Sequence, residues 1–484
     1  MREVEVDPIP LARLEALLTP ERVERLRRHA VQAEQMLAGR VVWNVNATAQ
    51  GGGVAEMLEA LLAYARGAHV DTRWLTLTAD HEFFAITKRV HNLLHGTPGD
   101  AGELGAAERA HYERVLDANL ADLRAWVRPG DIVLLHDPQT AGLAEGVRRL
   151  GAHPIWRCHI GRDTPNALTD KGWGFLRPFL EAVDGFIFSR AVYAPDWVPR
   201  DRLWVIPPSL DPFTAKNEPM TPADVAATLH VTGLVETHPV HARLRFTRRD
   251  GSSGTVRQNH GLLVDGGEIP AEARLVLQVS RWDRLKDMQG VMIGFVEHLH
   301  EMPQDAHLLL AGPDVAGVTD DPEGAAVLQE CMDTWRDLPA RARRRVHMAA
   351  LPMDDVDENA YIVNALQRHA AVVVQKSLVE GFGLTVTEPM WKARPVVASG
   401  VGGILDQVED GVSGILLPDP TDYGSLGKQV RELLYDEERA TRLGEAARDR
   451  VRDRFLGDRH LIQYVDLFEA LLSRQPSPAP GHPA

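Results

Sequence analysis

The chain has 484 residues, 44% hydrophobic and 25% charged, which describes an ordinary globular protein with enough length for two cores. A formal net charge of −15 argues against nucleic acid or an anionic membrane as the main partner, so any anionic ligand would need its own local cations. Only Cys158 and Cys331 are cysteines, which excludes a disulfide framework and a four-thiolate metal site.

The first residues, "MREVEVDPIPLARLEALL", are charged and broken by proline, without the apolar run of a signal peptide. No apolar stretch is long enough to span a bilayer. These features predict a cytoplasmic protein with neither nucleic acid nor membrane as a partner. A homodimer is the default expectation for its assembly.

In chain order, strands are predicted at "RVVWNVN" (residues 40–46), "TRWLTLT", "DIVLLHD", "PIWRCHI", "DGFIFS" and "LWVIPP". After a gap the pattern resumes with "ARLVLQVS", "AHLLLAG", "RVHMAA", "AVVVQKS", "PVVAS" and "GILLP". Continuous apolar runs alternating with helical segments predict parallel sheets covered on both faces. Twelve such strands split evenly, so two doubly wound α/β domains are expected. The break falls after "PPSLDPFTAKN", where Pro207, Pro208 and Pro212 stiffen the chain. Residues 228–268 alternate and carry Gly-Ser turn chemistry, which predicts an inserted hairpin. Ile462, Val465, Phe468, Leu471 and Leu472 recur at helical spacing, and the tail "QPSPAPGHPA" is proline-rich and expected to be disordered.

Three glycines, Gly51 to Gly53, follow the first of these strands. Behind them Val54, Met57, Leu58, Leu61 and Leu62 form a helical stripe. Strand, glycine loop and helix N-terminus can present backbone N–H groups to an anion, although the spacing matches neither G-x-G-x-x-G nor a P-loop. A plain tight turn accounts for the triplet equally well. "QVSRWDRLKD" puts Arg281 and Lys286 just past a strand end, where open parallel sheets collect ligands. Two cations there can hold a diphosphate, and a solvated basic loop is the alternative. In "KSLVEGFGLTVTEPMW", Glu380 and Glu388 bracket a Gly-Phe-Gly turn and a helix start. Carboxylates accept hydrogen bonds from neighbouring hydroxyls of sugars and riboses, and two exposed glutamates are the bland counterpart.

The combination of Glu380-Gly-Phe-Gly-x4-Glu388 with Arg281 and Lys286 resembles the retaining GT-B glycosyltransferases of the glycogen-synthase and sucrose-synthase-like group, glycosyltransferase family 4. Within it, "VVWNVNATAQGGGVAEML", "HEFFAITKRVHN", "VLLHDPQTAGL", "IWRCHIGRDTPN", "IPPSLDPFTAKN" and "DDPEG" are similar to the trehalose synthase branch, which joins a nucleotide-activated glucose to free glucose. The resemblance implies two Rossmann-like domains facing an interdomain cleft. Residues 1–215 form the acceptor side, with a terminal helix at 457–474 packing back on it. A linker and inserted hairpin occupy 216–270, a nucleotide-sugar domain 271–456, and the disordered tail 475–484.

It also implies roles. Arg281 and Lys286 neutralise the leaving diphosphate, Glu380 binds the donor sugar's hydroxyls, and Glu388 binds the ribose. His159 orients the donor sugar, making Arg281, Lys286, Glu380 and His159 the catalytic set. Gly51, Gly52 and Gly53, with Gly381, Phe382, Gly383 and Leu384, line the donor. Asp137 and Gln139, in "HDPQ", face the acceptor. The donor is a nucleoside diphosphate glucose (ADP-, UDP- or GDP-glucose), with no tightly bound cofactor, no metal site of the protein's own, and Mg2+ as an aid to diphosphate departure. Three activities stay open: trehalose synthesis, a related retaining transfer or phosphorolysis with another acceptor or leaving group, and a non-catalytic nucleotide-sugar sensor.

Overall fold

In the computed structural model, the described residues are 1–49, 53–236, 244–249, 251–258, 262–265, 267–315 and 323–473. Gly51, Gly52, the proline-rich tail and parts of the 228–268 insertion lie outside them. The chain forms two compact units, one of Met1–Ser209 with the described residues from Gly457 onward, the other Leu210–Leu456.

The sheet of the first unit contains β1 (Arg2–Val4), β2 (Val42–Asn46), β3 (Thr72–Thr76), β4 (Ile132–His136), β5 (His153–Cys158), β6 (Gly185–Phe188) and β7 (Leu203–Val205). They lie in the order β1-β3-β2-β4-β5-β6-β7, and all neighbours are parallel except β1 against β3. Alternate residues of one strand feed opposite faces: Val133 and Leu135 join a core with Trp43, Trp156 and Phe188, while Ile132 and Leu134 join one with Ile155 and Ile187. The second face is closed by Tyr464, Val465, Leu467, Phe468 and Leu471 of the helix Gly457–Ser473. The last helix among the described residues thus completes the first unit.

The second unit opens with a helix, Pro222–Val231, and a small antiparallel pair, β8 (Arg245–Thr247) with β9 (Ser253–Thr255). Its main sheet contains β10 (Leu263–Asp265), β11 (Arg274–Val279), β12 (Ala306–Pro313), β13 (Val346–Leu351), β14 (Val372–Gln375), β15 (Val396–Ser399) and β16 (Ile415–Leu417). The order is β10-β13-β12-β11-β14-β15-β16, parallel apart from β10. All twelve predicted strands therefore form, six in each parallel core, and β1 and β10 are short antiparallel edges added outside them. Among the described residues, no helix is long and apolar enough to cross a membrane.

Strand order fixes where ligands are expected. Counted along the chain, the parallel strands of the first unit run 2-1-3-4-5-6, reversing direction between β2 and β4. Those of the second run 3-2-1-4-5-6, reversing between β11 and β14. At such a reversal the loops from two neighbouring strands diverge to opposite faces and leave a crevice at the strands' carboxyl ends. Gly53 and Asp137 open the helices that follow β2 and β4, and the loops after β11 and β14 carry Arg281, Lys286 and Glu380.

Candidate active site

In the second unit, two aspartates shape the loop after β11. Asp283 accepts the Leu285 N–H at 2.8 Å to start a 3₁₀ turn, Arg284–Lys286. Asp287, at φ 46°, accepts the Gly290 N–H at 3.0 Å and caps the helix Met288–Glu297. Lys286 lies between these two anchors. Its Nζ donates to Glu380 Oε2 at 2.5 Å, and Ser377 Oγ donates to the same oxygen at 3.0 Å. Arg281 keeps a side chain 40% exposed, with Asp283 Oδ2 3.8 Å away.

The loops after β11 and β14 are fastened together beneath these charges. The Gln278 side chain donates to the Lys286 carbonyl at 2.8 Å and accepts from the Lys376 N–H at 3.0 Å. Leu378 N–H donates to the Leu285 carbonyl at 2.7 Å. Buried Lys376 donates to Asp287, and its ammonium lies 4.6 Å from the Tyr423 ring centroid. Burial pushes the Lys376 ammonium below its ordinary pKa, and the Asp287 carboxylate opposes that shift. Neighbours in sequence, Lys286 and Asp287, thus make two parallel pairs of opposite polarity with Glu380 and Lys376.

The turn that carries Glu380 is equally constrained. Gly383 has φ 91°, and a Cβ there would lie 3.1 Å from Glu380 Cγ. Gly403 backs the loop so closely that a Cβ would come within 2.5 Å of Phe382 Cα. Gln407 donates to the Phe382 carbonyl at 2.5 Å and accepts from Thr387. Gly381 and Gly383 flank buried Phe382, and Leu384 begins the helix Leu384–Trp391. Glu388 sits inside that helix, nearly sealed. Its Oε2 accepts from Gln367 at 3.1 Å and its Oε1 lies 3.6 Å from Lys216 Nζ.

In the first unit, Asp137 follows β4 at φ 63°, a left-handed conformation that non-glycine residues adopt only under compensation. The compensation is visible. Asp137 Oδ1 accepts the His159 N–H at 2.7 Å, and its carbonyl accepts the Trp156 indole N–H at 3.0 Å. Burial pushes the Asp137 carboxyl up to about 7, against the pull of the His159 N–H and the Arg157 charge. Gln139 lies in the short helix Asp137–Thr140 on the same strand end.

A chain of hydrogen bonds fixes the histidine tautomers. Asn44 Nδ2 points at Thr72 Oγ1 (3.4 Å), which itself donates to the Val42 carbonyl, so Asn44 Oδ1 faces His136 Nε2 at 3.2 Å as an acceptor. His136 therefore carries its proton on Nε2, and its Nδ1 accepts from His159 Nε2 at 3.2 Å. The rings stack with centroids 5.5 Å apart and planes 9° from parallel. Burial, and then the Arg157 charge, hold both imidazoles well below the usual histidine range, so both are neutral near pH 7. Arg157, fully buried on β5, donates to His460 Nε2 at 3.0 Å, to the Ile206 carbonyl at 3.2 Å and to Tyr464. His460 Nδ1 is left to donate to Ser209 Oγ at 2.8 Å. The thiol of Cys158 is buried and pushed well up in pKa, which suits packing rather than attack.

Each unit thus assembles its own subset of the predicted residues: Arg281, Lys286, Glu380 and the Gly-Phe-Gly turn in one, Asp137, Gln139 and His159 in the other. Sequence reasoning missed Asp287, Lys376, Lys216, Gln367, His136 and Asn44. Asp287, Lys376 and His136 had a legible signal, since each lies in or beside a singled-out motif just past a predicted strand. The others are recognisable only once distant segments meet.

Residues 44–195 match the family described as trehalose synthase, N-terminal domain, and residues 356–450 match glycosyl transferases group 1. The chain is 31% identical over 458 residues to a trehalose synthase of Pyrococcus horikoshii, covering 94% of this chain and 95% of that one. It is 34% identical over 464 residues to a trehalose synthase of Rubrobacter xylanophilus, covering 92% and 95%. Among solved structures, HepE of Anabaena in complex with UDP-glucose superposes with a TM-score of 0.59 at 14% identity, covering 90% of this chain and all of that one.

Proposed function

Since the chain belongs to the trehalose synthase family and is a hexosyltransferase of the GT-B fold, we propose that it transfers glucose, with retention, from a nucleoside diphosphate glucose to free glucose. The observation that carries this reading is the meeting of Lys286, on the loop that also carries Arg281, with Glu380 at the strand-order reversal of the second unit. A cation pair and a sugar-binding carboxylate on adjacent loops suit a ligand that is a diphosphate at one end and a hexose at the other.

In this reading the bond from the anomeric carbon to the phosphate oxygen breaks first, leaving an oxocarbenium-like sugar and a diphosphate with added negative charge. Arg281 and Lys286 stabilise that charge. Glu380 holds the sugar's hydroxyls, Glu388 the ribose, and His159 orients the sugar near its anomeric carbon. The acceptor hydroxyl, placed by Asp137 and Gln139, attacks from the face the diphosphate leaves, and its proton passes to the departing phosphate oxygen. No carboxylate need act as a nucleophile. Among the described residues, no three His, Cys, Asp or Glu side chains are grouped so as to hold a metal ion.

Incubation with ADP-, UDP- and GDP-glucose plus free glucose tests the proposal, with nucleoside diphosphate quantified and the product identified by NMR. One equivalent of diphosphate per trehalose is expected. Glucose 1-phosphate formed from trehalose and inorganic phosphate, with no nucleotide sugar consumed, refutes it in favour of phosphorolysis.

A further inference from the structure

The segment that opens the second unit reaches Glu388, and nothing above gives it a task. Building on the nucleotide-sugar reading, we infer that Lys216 is a positioning residue: it aims the Glu388 carboxylate so that this group accepts a ribose hydroxyl of the donor.

The geometry divides the carboxylate in two. Gln367 Nε2 donates to Oε2 at 3.1 Å, whereas Lys216 Nζ stands 3.6 Å from Oε1. The first is a hydrogen bond. The second is an ion pair outside hydrogen-bonding distance, which attracts Oε1 without filling its lone pairs. Oε1 is thereby directed and still able to accept from a hydroxyl.

Both partners are themselves held. Lys392 Nζ, buried, donates to Gln367 Oε1 at 2.6 Å, which turns the amide so that its NH₂ faces Glu388. The same ammonium donates to Asn217 Oδ1 at 3.0 Å and to the Glu388 carbonyl at 3.2 Å. On the other side of Lys216, the Ala215 carbonyl accepts from Asn364 Nδ2 at 3.0 Å. The Glu218 carbonyl accepts from Asn364 and from Arg368, each at 2.9 Å. Asn364, Gln367 and Arg368 lie on adjoining turns of one helix, Val356–His369. One helix therefore fixes the backbone around Lys216 and also supplies the opposing amide, so the carboxylate is set between two supports of common origin.

A role confined to neutralising a nearly buried carboxylate would change stability and would weaken every nucleotide alike. A positioning role is selective for the hydroxyl. Calorimetric titration of the full chain with ADP, UDP and GDP identifies the preferred base. The 2′-deoxy and 3′-deoxy forms of that nucleotide are then titrated against wild type, Lys216→Met and Lys216→Arg. Wild type is expected to favour the ribonucleotide over one deoxy form by about 10- to 100-fold, the worth of a hydrogen bond to a charged group. Lys216→Met should shrink that ratio to under about 3-fold by weakening the ribonucleotide alone, and Lys216→Arg should restore most of it, because a charge at this site is sufficient to direct the oxygen.

The Lys216 side chain is 18% exposed, so its replacement leaves no sealed cavity. Lys216→Gln provides a second reading should the methionine variant unfold. An unchanged ratio in Lys216→Met overturns the inference alone. A wild type indifferent to both deoxy forms removes the ribose from Glu388, and the inference with it, while the diphosphate reading stands. A wild type that binds no nucleoside diphosphate removes the donor reading itself.

Discussion

Replacing Lys286 by alanine is the most direct test of the proposed chemistry. Lys286 Nζ is paired with Glu380 and its side chain is 16% exposed, so its charge acts in a partly desolvated setting. A unit charge about 4 Å from the developing diphosphate charge, at an effective dielectric of about 20, contributes about 4 kcal/mol. At 1.36 kcal/mol per decade this corresponds to roughly a thousandfold in rate. Only the part realised in the transition state lowers kcat, and measured losses for single preorganised donors, about 10²- to 10³-fold, bracket the same range. Lys286→Ala should therefore lower kcat by about 10²- to 10³-fold, with the KM for acceptor glucose unchanged. Melting temperature should fall as well, because buried Glu380 loses its charge partner and keeps only Ser377 among the donors named above, so the rate is compared at a temperature where the variant is folded. Initial rates of diphosphate release, with glucose varied at saturating donor, provide the assay. A kcat loss below about tenfold in a folded variant would refute the charge argument, since it is smaller than even one well-placed donor supplies.

Other consequences can be measured independently. The Asp137 carboxyl, raised from 3.8 to about 7 in the folded chain, binds its proton in that window only when folded. Stability from it is complete below the unfolded pKa and lost as pH rises through about 7, by at most about 4 kcal/mol and less for its partial exposure. Thermal melts at pH 5 and pH 8 should thus show wild type losing more stability than Asp137→Asn. Gly383→Ala forces a side chain into φ 91° and against Glu380, costing roughly 1–2 kcal/mol of stability. It should also lower kcat/KM for the donor at least tenfold by displacing that carboxylate, as read from melts and steady-state rates. Phe468→Ala, which removes a 6%-exposed ring from the terminal helix, should cost about 3–5 kcal/mol in denaturant unfolding.

The parallel cores were legible because strands buried on both faces must be apolar throughout, as in "DIVLLHD" and "ARLVLQVS". The edges were not. Arg2-Glu3-Val4 and Leu263-Val264-Asp265 are three-residue strands that join a sheet already formed, so they need no apolar run of their own. At the candidate site, Arg281, Lys286 and Glu380 could be picked out because they adjoin strand ends and carry chemistry in compact motifs, whereas Asp137 came only with the family resemblance. The pairing of Asp287 with Lys376 could not, since it depends on β11 and β14 becoming neighbours, nor that of Lys216 with Glu388, which depends on the segment before the helix Pro222–Val231 packing on the helix Val356–His369. The histidine tautomers were equally hidden, because they descend from the orientation of a single amide, Asn44, beside Thr72.

The closing helix also bears on biosynthesis. Ile132, Leu134, Ile155 and Ile187 have left the ribosome long before the residues that cover them have been translated. At roughly 5–20 residues per second the delay is of the order of 15 seconds to a minute. Throughout that interval this face, already lined by Ala33, Leu37 and Leu61, lacks the share of its cover that the helix Gly457–Ser473 supplies, an invitation to aggregation that a chaperone would have to shield. Expressed alone, residues 1–209 should therefore be recovered in inclusion bodies, and supplying 457–473 as a separate peptide should rescue them.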